Sequence, residues 1–391
     1  MEHAEAVVIG GGVMGTSIAF NLARRRFGRV VLLEKDAICS GTSGKSSAIV
    51  RTHYTTPPTA RMALLARRIL ENFSEEVGGE SGFVRTGMLV VAAKEHREAV
   101  ERTVRMNAEL GIETGFVNRE EVRRLHPLLT VPEDAALVYE PRSGYASPHD
   151  VATGYARAFT ALGGLVRQET AVTGIEIRAG RIEAVATSAG RIATGHIVIA
   201  AGPWAGPVGR LAGLDLPVMA SRQSVVTLRP PFPYGNAYPV VIDLVAEVYF
   251  RPETGSVILL GNTRHGDDLP GDPDRYEDRP DPALAAELTL RLSRRMPAAA
   301  EAGIAGGWSG MYEITPDWNP IMGSSADIRG LHYCVGFSGH GFKLAPVAGV
   351  LMAEQVADGR ASTLDIAPYR LERFGEGQAL RLGYPKAGVL A

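Results

Sequence analysis

The stretch AVVIGGGVMGTSIAFNLARRRFGRVVLLEKD, residues 6–36, decides the fold. Ala6 to Ile9 is a short apolar run that breaks at Gly10, after which Ile18, Leu22 and the alanines between them recur at helical spacing. A second apolar run, Val30 to Leu33, ends at Glu34. The order strand, glycine turn, helix, strand is one βαβ unit. Inside it lies Gly10-x-Gly12-x-x-Gly15, with Glu34 about 20 residues further on. Gly10 permits the tight turn, Gly12 lets the backbone approach a pyrophosphate, and Gly15 allows the helix to pack closely on the strand. The helix N-terminus offers aligned N–H groups to phosphate, and Glu34 is placed to accept from ribose hydroxyls. An acid at that position disfavours a 2′-phosphate, which leaves NAD and FAD as candidate cofactors.

Outward from this unit, Pro57 and Pro58 introduce a helical stripe through Met62, Leu65, Ile69 and Phe73. Gly87 to Ala93 reads as a strand, followed to about Tyr139 by short helices and polar turns. From Thr170 to Ala201, strand-like runs punctuated by Ala179-Gly180 and Ala189-Gly190 predict a meander that closes on a buried strand at Ile197–Ala200. Loops are expected over Arg229–Pro239 and Asp267–Pro282, with a helix through Leu284, Leu288 and Leu292. At 391 residues and 45% hydrophobic, the chain has material for a large core and for two or three domains. Lys+Arg 41 against Asp+Glu 43 provides no broad electrostatic footprint for nucleic acid or anionic lipid. Two cysteines, Cys39 and Cys334, make neither a disulfide framework nor a cysteine-rich zinc site, and His53, His265 and His340 lack ligand spacing. No run of about 18 apolar residues suggests a membrane span, and no signal-peptide pattern opens the chain, so a cytoplasmic address is expected.

Choosing between FAD and NAD rests on more specific runs. GGGVMGTSIAFNLARR (10–25), LLEKD (32–36), CSGTSGKSSAIVRTHY (39–54), HIVIAAGPWAG (196–206), GWSGMYEITPDWNPIMG (307–323) and YCVGFSGHGFKLAPVAG (333–349) together resemble the D-amino-acid oxidase and sarcosine oxidase superfamily of FAD enzymes. The likeness spans the whole chain. It implies an α/β fold with a Rossmann-type FAD-binding domain discontinuous in sequence (1–80, 144–220 and 307–391). It also implies a substrate domain (81–143 and 221–306) built on a mostly antiparallel sheet. The resemblance implies that Thr42 and Ser43 lie along the pyrophosphate, that the Val172 segment passes the adenine, and that Ala201 and Gly202 approach the cofactor backbone. It further implies that Gly339 to Lys343, with Gly341 and Phe342, open a helix whose positive end faces the flavin pyrimidine. A helix N-terminus there would stabilise the charge that reduced flavin gathers. Val13, Met14, Lys35, Lys45, Ser46 and Gly310 complete the expected cofactor contacts.

In sarcosine-oxidase-like members an arginine, with a tyrosine three residues on, and the lysine of GHGFK grip the substrate carboxylate. The matching residues here are Arg51 with Tyr54, and Lys343. A guanidinium binds a carboxylate through two parallel N–H contacts and a lysine adds a point charge, which suits an amino acid better than a neutral amine. Nearby positive charge also favours the neutral form of the substrate amine. The expected reaction is oxidation of the C–N bond of a small amino acid with a secondary or N-methylated amine, by hydride transfer to flavin N5, giving an imine that hydrolyses. Tyr249, Tyr312 and His340 are expected near the substrate. Alternatives on the same fold are a D-amino-acid or proline dehydrogenase, or the FAD-carrying subunit of a multi-subunit amine dehydrogenase. Three departures matter. Gly310 stands where monomeric sarcosine oxidases attach FAD through cysteine, and Lys45 where related dehydrogenases use histidine, so non-covalent FAD is expected. Leu259 stands where sarcosine oxidases keep an oxygen-activating lysine, which leaves O2 or another electron acceptor open. Finally, GYASPHDVATGYARA (144–158) resembles the beta subunit of heterotetrameric sarcosine oxidase, in which a histidine carries FMN; His149 and Asp150 also fit a plain helix start. A homo-oligomer or a partner subunit is an open expectation.

Overall fold

The run Ala6–Ile9 is the inner half of a strand, Glu2–Ile9, and its alternation sets the layers of the first half of the molecule. Ala6 and Val8 point into one apolar cluster, Val7 and Ile9 into another, and Val30 and Leu32 alternate with Val31 and Leu33 in the same way. Such two-sided burial is what a parallel strand requires. The computed structural model describes residues 2–264, 270–380 and 383; His265 and the start of the loop expected from Asp267 lie outside the described residues.

The parallel core runs Leu165–Arg167, Val30–Leu33, Glu2–Ile9, Gly190–Ile199 and Leu331–Val335. The strand Gly190–Ile199 serves two neighbours: its first half pairs antiparallel with Arg181–Thr187 of the expected meander, and Ile197–Ile199 pair parallel with Leu331–Tyr333. Helices Val13–Arg24, Pro57–Glu71, Pro148–Ala161 and Gly341–Asp358 pack together beneath one face. Pro57 and Pro58 open their helix at positions where a missing N–H costs nothing.

The second sheet runs Gly303–Ile314, Met219–Arg229, Val257–Asn262, Val248–Glu253, Val240–Asp243, Met88–Ala92, Ala136–Glu140 and Gly115–Phe116. All its pairings are antiparallel except Val240–Asp243 with Met88–Ala92. One face buries Leu89, Val91, Phe250 and Leu260 under helix Pro282–Ser293; the other turns Met88, Val90, Tyr249 and Leu259 toward Ile49 and Tyr145. Ala136–Glu140 is a strand in a region where short helices and turns were expected. The expected boundaries at 220/221 and 306/307 fall inside the paired strands Met219–Arg229 and Gly303–Ile314, a pair held from Met219–Ile314 to Arg229–Gly303. This pair carries the chain from the second sheet back to Ile321–Ser324 of the first.

Candidate active site

A deep cleft opens where the carboxyl ends of strands Glu2–Ile9, Val30–Leu33 and Gly190–Ile199 meet the Tyr249 face of the second sheet, with about 1960 Å³ of empty space, part of it open to solvent. Ligand sites of open α/β sheets lie at this end of the strands. Gly10, Gly12, Val13, Met14, Glu34 and Lys35 line it from the first βαβ unit, and Thr42, Ser43, Lys45 and Ser46 from the loop and short helix that follow. Val172, Ala201 and Gly202 line it from the meander, and Gly310, Tyr312, Gly339, Gly341, Phe342 and Tyr249 close the far end.

Local chemistry explains the glycines. Gly10 has φ +116°, and a Cβ there would stand 2.4 Å from the Ala200 carbonyl oxygen. A Cβ on Gly15 would stand 1.9 Å from the Gly10 carbonyl oxygen, so Gly15 packs the helix onto the turn from behind the cleft. At the helix start the Val13 N–H donates to Ser43 Oγ (3.0 Å). Glu34 accepts from the Gly11 N–H at Oε2 (2.6 Å) and from the Asp36 N–H at Oε1 (2.9 Å), which fixes the carboxylate at the rim. Gly310 faces Lys45: a Cβ there would lie 3.1 Å from Lys45 Cβ. Lys45 Nζ is taken by Tyr276 Oη (2.5 Å) and by an ion pair with Asp278. Thus residues 271–281 cross the rim, and Asp274 accepts from both Lys35 Nζ (2.6 Å) and Trp204 Nε1 (2.9 Å).

Arg51, His340 and Lys343 do not line the cleft; they are buried together behind its far end, where Gly339, Gly341 and Phe342 do. The Arg51 guanidinium stacks 4.1 Å over the Tyr54 ring, donates to the His53 carbonyl, and has Nη2 3.4 Å from His340 Nδ1. Tyr54 Oη is 3.2 Å from the same nitrogen. Because arginine only donates, His340 Nδ1 acts as acceptor and its ring proton belongs on Nε2. Burial, and secondly the Arg51 charge, holds the Lys343 ammonium well below its ordinary pKa. Two basic side chains from opposite ends of the sequence therefore share one water-poor site, in which the charged form of Lys343 is disfavoured.

Two carboxyls bear on the site that sequence reading had not singled out. Glu140, fully buried at the end of its strand, accepts from Thr52 N–H (3.1 Å), Thr52 Oγ1 (3.0 Å) and Ser143 Oγ (2.9 Å), all at Oε2. Burial alone would raise its pKa; the nearby His53 ring, 3.6 Å from Oε1, and hydrogen bonds from Ser143 and Thr52 hold it below the usual carboxylate range. It thereby clamps the turn that carries Arg51. Glu313 borders the cleft, and burial pushes its carboxyl up to about 7. Glu140 belongs to no motif, and Glu313 lies within the 307–323 run without a role of its own there; each sits in a strand, where sequence does not say which element faces it. His149 lies in the first turn of helix Pro148–Ala161, whose cap is Ser147, with its ring 3.0 Å from where a Cβ on Gly44 would stand.

The protein-family model described as DAO, FAD dependent oxidoreductase, matches residues 5–355. The chain belongs to this family of FAD-dependent oxidoreductases. The oxidoreductase is 28% identical to glycine oxidase of Geobacillus kaustophilus over 95% of this chain and 98% of that protein. It is 29% identical to sarcosine oxidase subunit beta of Rhodobacter capsulatus, over 96% and 90% of the two chains. Sarcosine dehydrogenase of Mus musculus matches at 29% identity over 95% of this chain, which spans 41% of that longer protein. Among solved structures, L-proline dehydrogenase from P. horikoshii superposes with a TM-score of 0.90 at 28% identity, covering 97% of this chain and 100% of the other. The chain is thus an FAD-dependent oxidoreductase, similar over its length to amino-acid and amine oxidases and dehydrogenases. Among the described residues no helix is long and apolar enough to cross a membrane.

The cleft fits FAD on its own chemistry. It offers a helix start without Cβ atoms at Gly10 and Gly12, a carboxylate at the rim suited to ribose hydroxyls, and a shielded carboxyl oxygen, Glu313 Oε2, with no hydrogen-bond partner among the described residues.

Proposed function

We propose that this oxidoreductase oxidises a small amino acid bearing a secondary or N-methylated amine. The observation that carries this reading is the burial of Arg51 and Lys343 together beside Tyr54 and His340. Two neighbouring buried cations repel, and an anion set between them relieves that repulsion; the carboxylate of an amino acid is such an anion. Arg51 would take the carboxylate through its fork and Lys343 through a point charge. Their summed charge favours the neutral substrate amine, the form able to give up electrons. Tyr249 and Tyr312 would wall the space between substrate and cofactor. Gly10–Met14 and Gly15 would hold the cofactor at the helix start, with Glu34 and Lys35 at its rim, Thr42, Ser43, Lys45 and Ser46 on one side, and Val172, Ala201 and Gly202 on the other. Gly310, Gly339, Gly341 and Phe342 would meet its far end. Bound FAD supplies the two-electron acceptor for the C–H bond next to nitrogen. No cysteine or histidine stands at Gly310 or Lys45, which supports non-covalent attachment.

An acceptor other than oxygen is part of the proposal. Leu259 is fully buried at the position where the superfamily resemblance expects a lysine, and Lys45 is neutralised by Asp278. A positive charge beside the flavin favours oxygen reduction, and these two positions supply none that is unpaired. The likeness to L-proline dehydrogenase favours proline, itself a secondary amine, among candidate substrates. The likeness to sarcosine oxidase subunit beta supports a second reading, in which the chain works with partner subunits and turns over slowly alone. Anaerobic mixing of the flavoprotein with sarcosine, N-methylated amino acids, proline, glycine and D-amino acids tests the class: bleaching by secondary amines and not by primary ones is expected, and the reverse order would overturn it. Reoxidation by a dye much faster than by air is expected; rapid peroxide release would refute the acceptor reading.

A further inference from the structure

Glu313 follows Tyr312 on strand Gly303–Ile314, and the two side chains point to opposite sides. The Tyr312 ring fills the space where Gly339 lacks a Cβ, whereas Glu313 Oε2 lies 3.9 Å from where a Cβ on Gly202 would stand. Glu313 Oε1 accepts from the Phe337 N–H (3.2 Å), and the Gly336 N–H also bonds the carboxyl. Oε2 is shielded from solvent and finds no hydrogen-bond partner among the described residues, although the residue borders the cleft. A shielded polar atom without a partner is costly, and a ligand seated in the cleft that the residue borders can complete it after a small turn of the carboxyl.

The state of the carboxyl follows from its surroundings. Burial raises its pKa and two backbone N–H bonds oppose this only in part. The titratable group coupled to it is the Cys334 thiol, which burial, and secondly Glu313 itself, holds protonated. Ala220, opposite on the paired strand, and Gly202 and Pro203 across the cleft carry no charge. The two lysines at the rim are engaged, Lys35 by Asp274 and Lys45 by Tyr276 and Asp278. Filling the cleft with a diphosphate removes more water and adds negative charge, and both changes favour the neutral acid. FAD offers phosphate, ribityl and ring oxygens that accept hydrogen bonds.

We propose that Glu313 keeps its proton in the FAD-bound protein and donates it, in a hydrogen bond from Oε2, to an oxygen of the cofactor. The inference concerns cofactor binding and is independent of which amine is oxidised. Release of FAD from the holoprotein on dilution, read by flavin fluorescence between about pH 6 and 8.5, tests it. Because binding requires the protonated acid and the free group titrates near 7, the FAD dissociation constant should rise about thirtyfold over that range. Glu313→Gln, whose amide donates without titrating, should bind within about threefold of the parent at pH 6 and show little pH dependence. Glu313→Ala should bind about tenfold more weakly at pH 6, also without the slope. A Gln variant that keeps the parental slope, a parent that binds more tightly at high pH, or an Ala variant equal to the parent would each overturn the proposal. If the Ala variant fails to fold, the slope of the Gln variant alone decides.

Discussion

Replacing Arg51 by alanine should separate substrate binding from cofactor binding if the proposed carboxylate grip holds. The side chain is 2% exposed, so a carboxylate that it meets is desolvated. Truncating one partner of a buried, hydrogen-bonded charge pair costs ~2–5 kcal/mol. The lower half of that range applies, because losing Arg51 also removes its repulsion of Lys343, which is then easier to charge and takes over part of the grip. About 2–3 kcal/mol corresponds to roughly a 30- to 150-fold weaker amino-acid affinity. Flavin affinity should change by less than about threefold, because Arg51 does not line the cleft. Arg51→Lys keeps the charge but loses the fork and the stack on Tyr54, and should fall between the two. An unreactive carboxylate titrated against the flavin absorbance measures the first affinity, and FAD fluorescence on dilution the second. Equal loss of both, or unchanged carboxylate binding, would refute the reasoning.

Three further outcomes are expected. Lys343→Met should stabilise the protein at neutral pH, by roughly 1–4 kcal/mol in thermal or urea melts, since an apolar isostere removes a buried amine whose charged form burial and Arg51 disfavour. The sign is fixed by linkage: the folded pKa of Lys343 lies below the unfolded value, so between the two the unfolded chain binds more protons, and stability falls as pH drops through that window. The Met variant should lose this slope, and a parent whose stability rises toward lower pH in that window would contradict it. Gly15→Ala should destabilise by at least about 2 kcal/mol and shed FAD, because its Cβ would stand 1.9 Å from a backbone oxygen that cannot move aside alone; unchanged melting would be inconsistent with the close packing. Acid precipitation of the holoprotein should leave the yellow colour in the supernatant, and flavin retained in the pellet would show a covalent link.

Legibility in the sequence followed the range of the interactions. The βαβ unit from Ala6 to Glu34 was readable because its signals are local: glycines at fixed offsets, apolar periods of 2 and 3.6, and an acid at a strand end. The two-proline start of helix Pro57–Glu71 and the meander that ends at Ile199 were readable for the same reason. The strand Ala136–Glu140 was not, since its five residues gain their state from pairing with Met88–Ala92 some fifty residues earlier.

By itself the sequence determined the chemistry that a dinucleotide needs at one helix start, and through its resemblance the two cations, Arg51 and Lys343, that suit a carboxylate. Only the tertiary structure decided that these cations sit behind the cleft wall and not on it, that Glu140 holds the Arg51 turn, and that Glu313 turns an unbonded oxygen toward the space beside Gly202. The physical reason is that charge state and hydrogen-bond partnership depend on what lies within a few ångströms in space. For groups such as Glu140 and Thr52, 88 positions apart, that neighbourhood exists only once both sheets have packed.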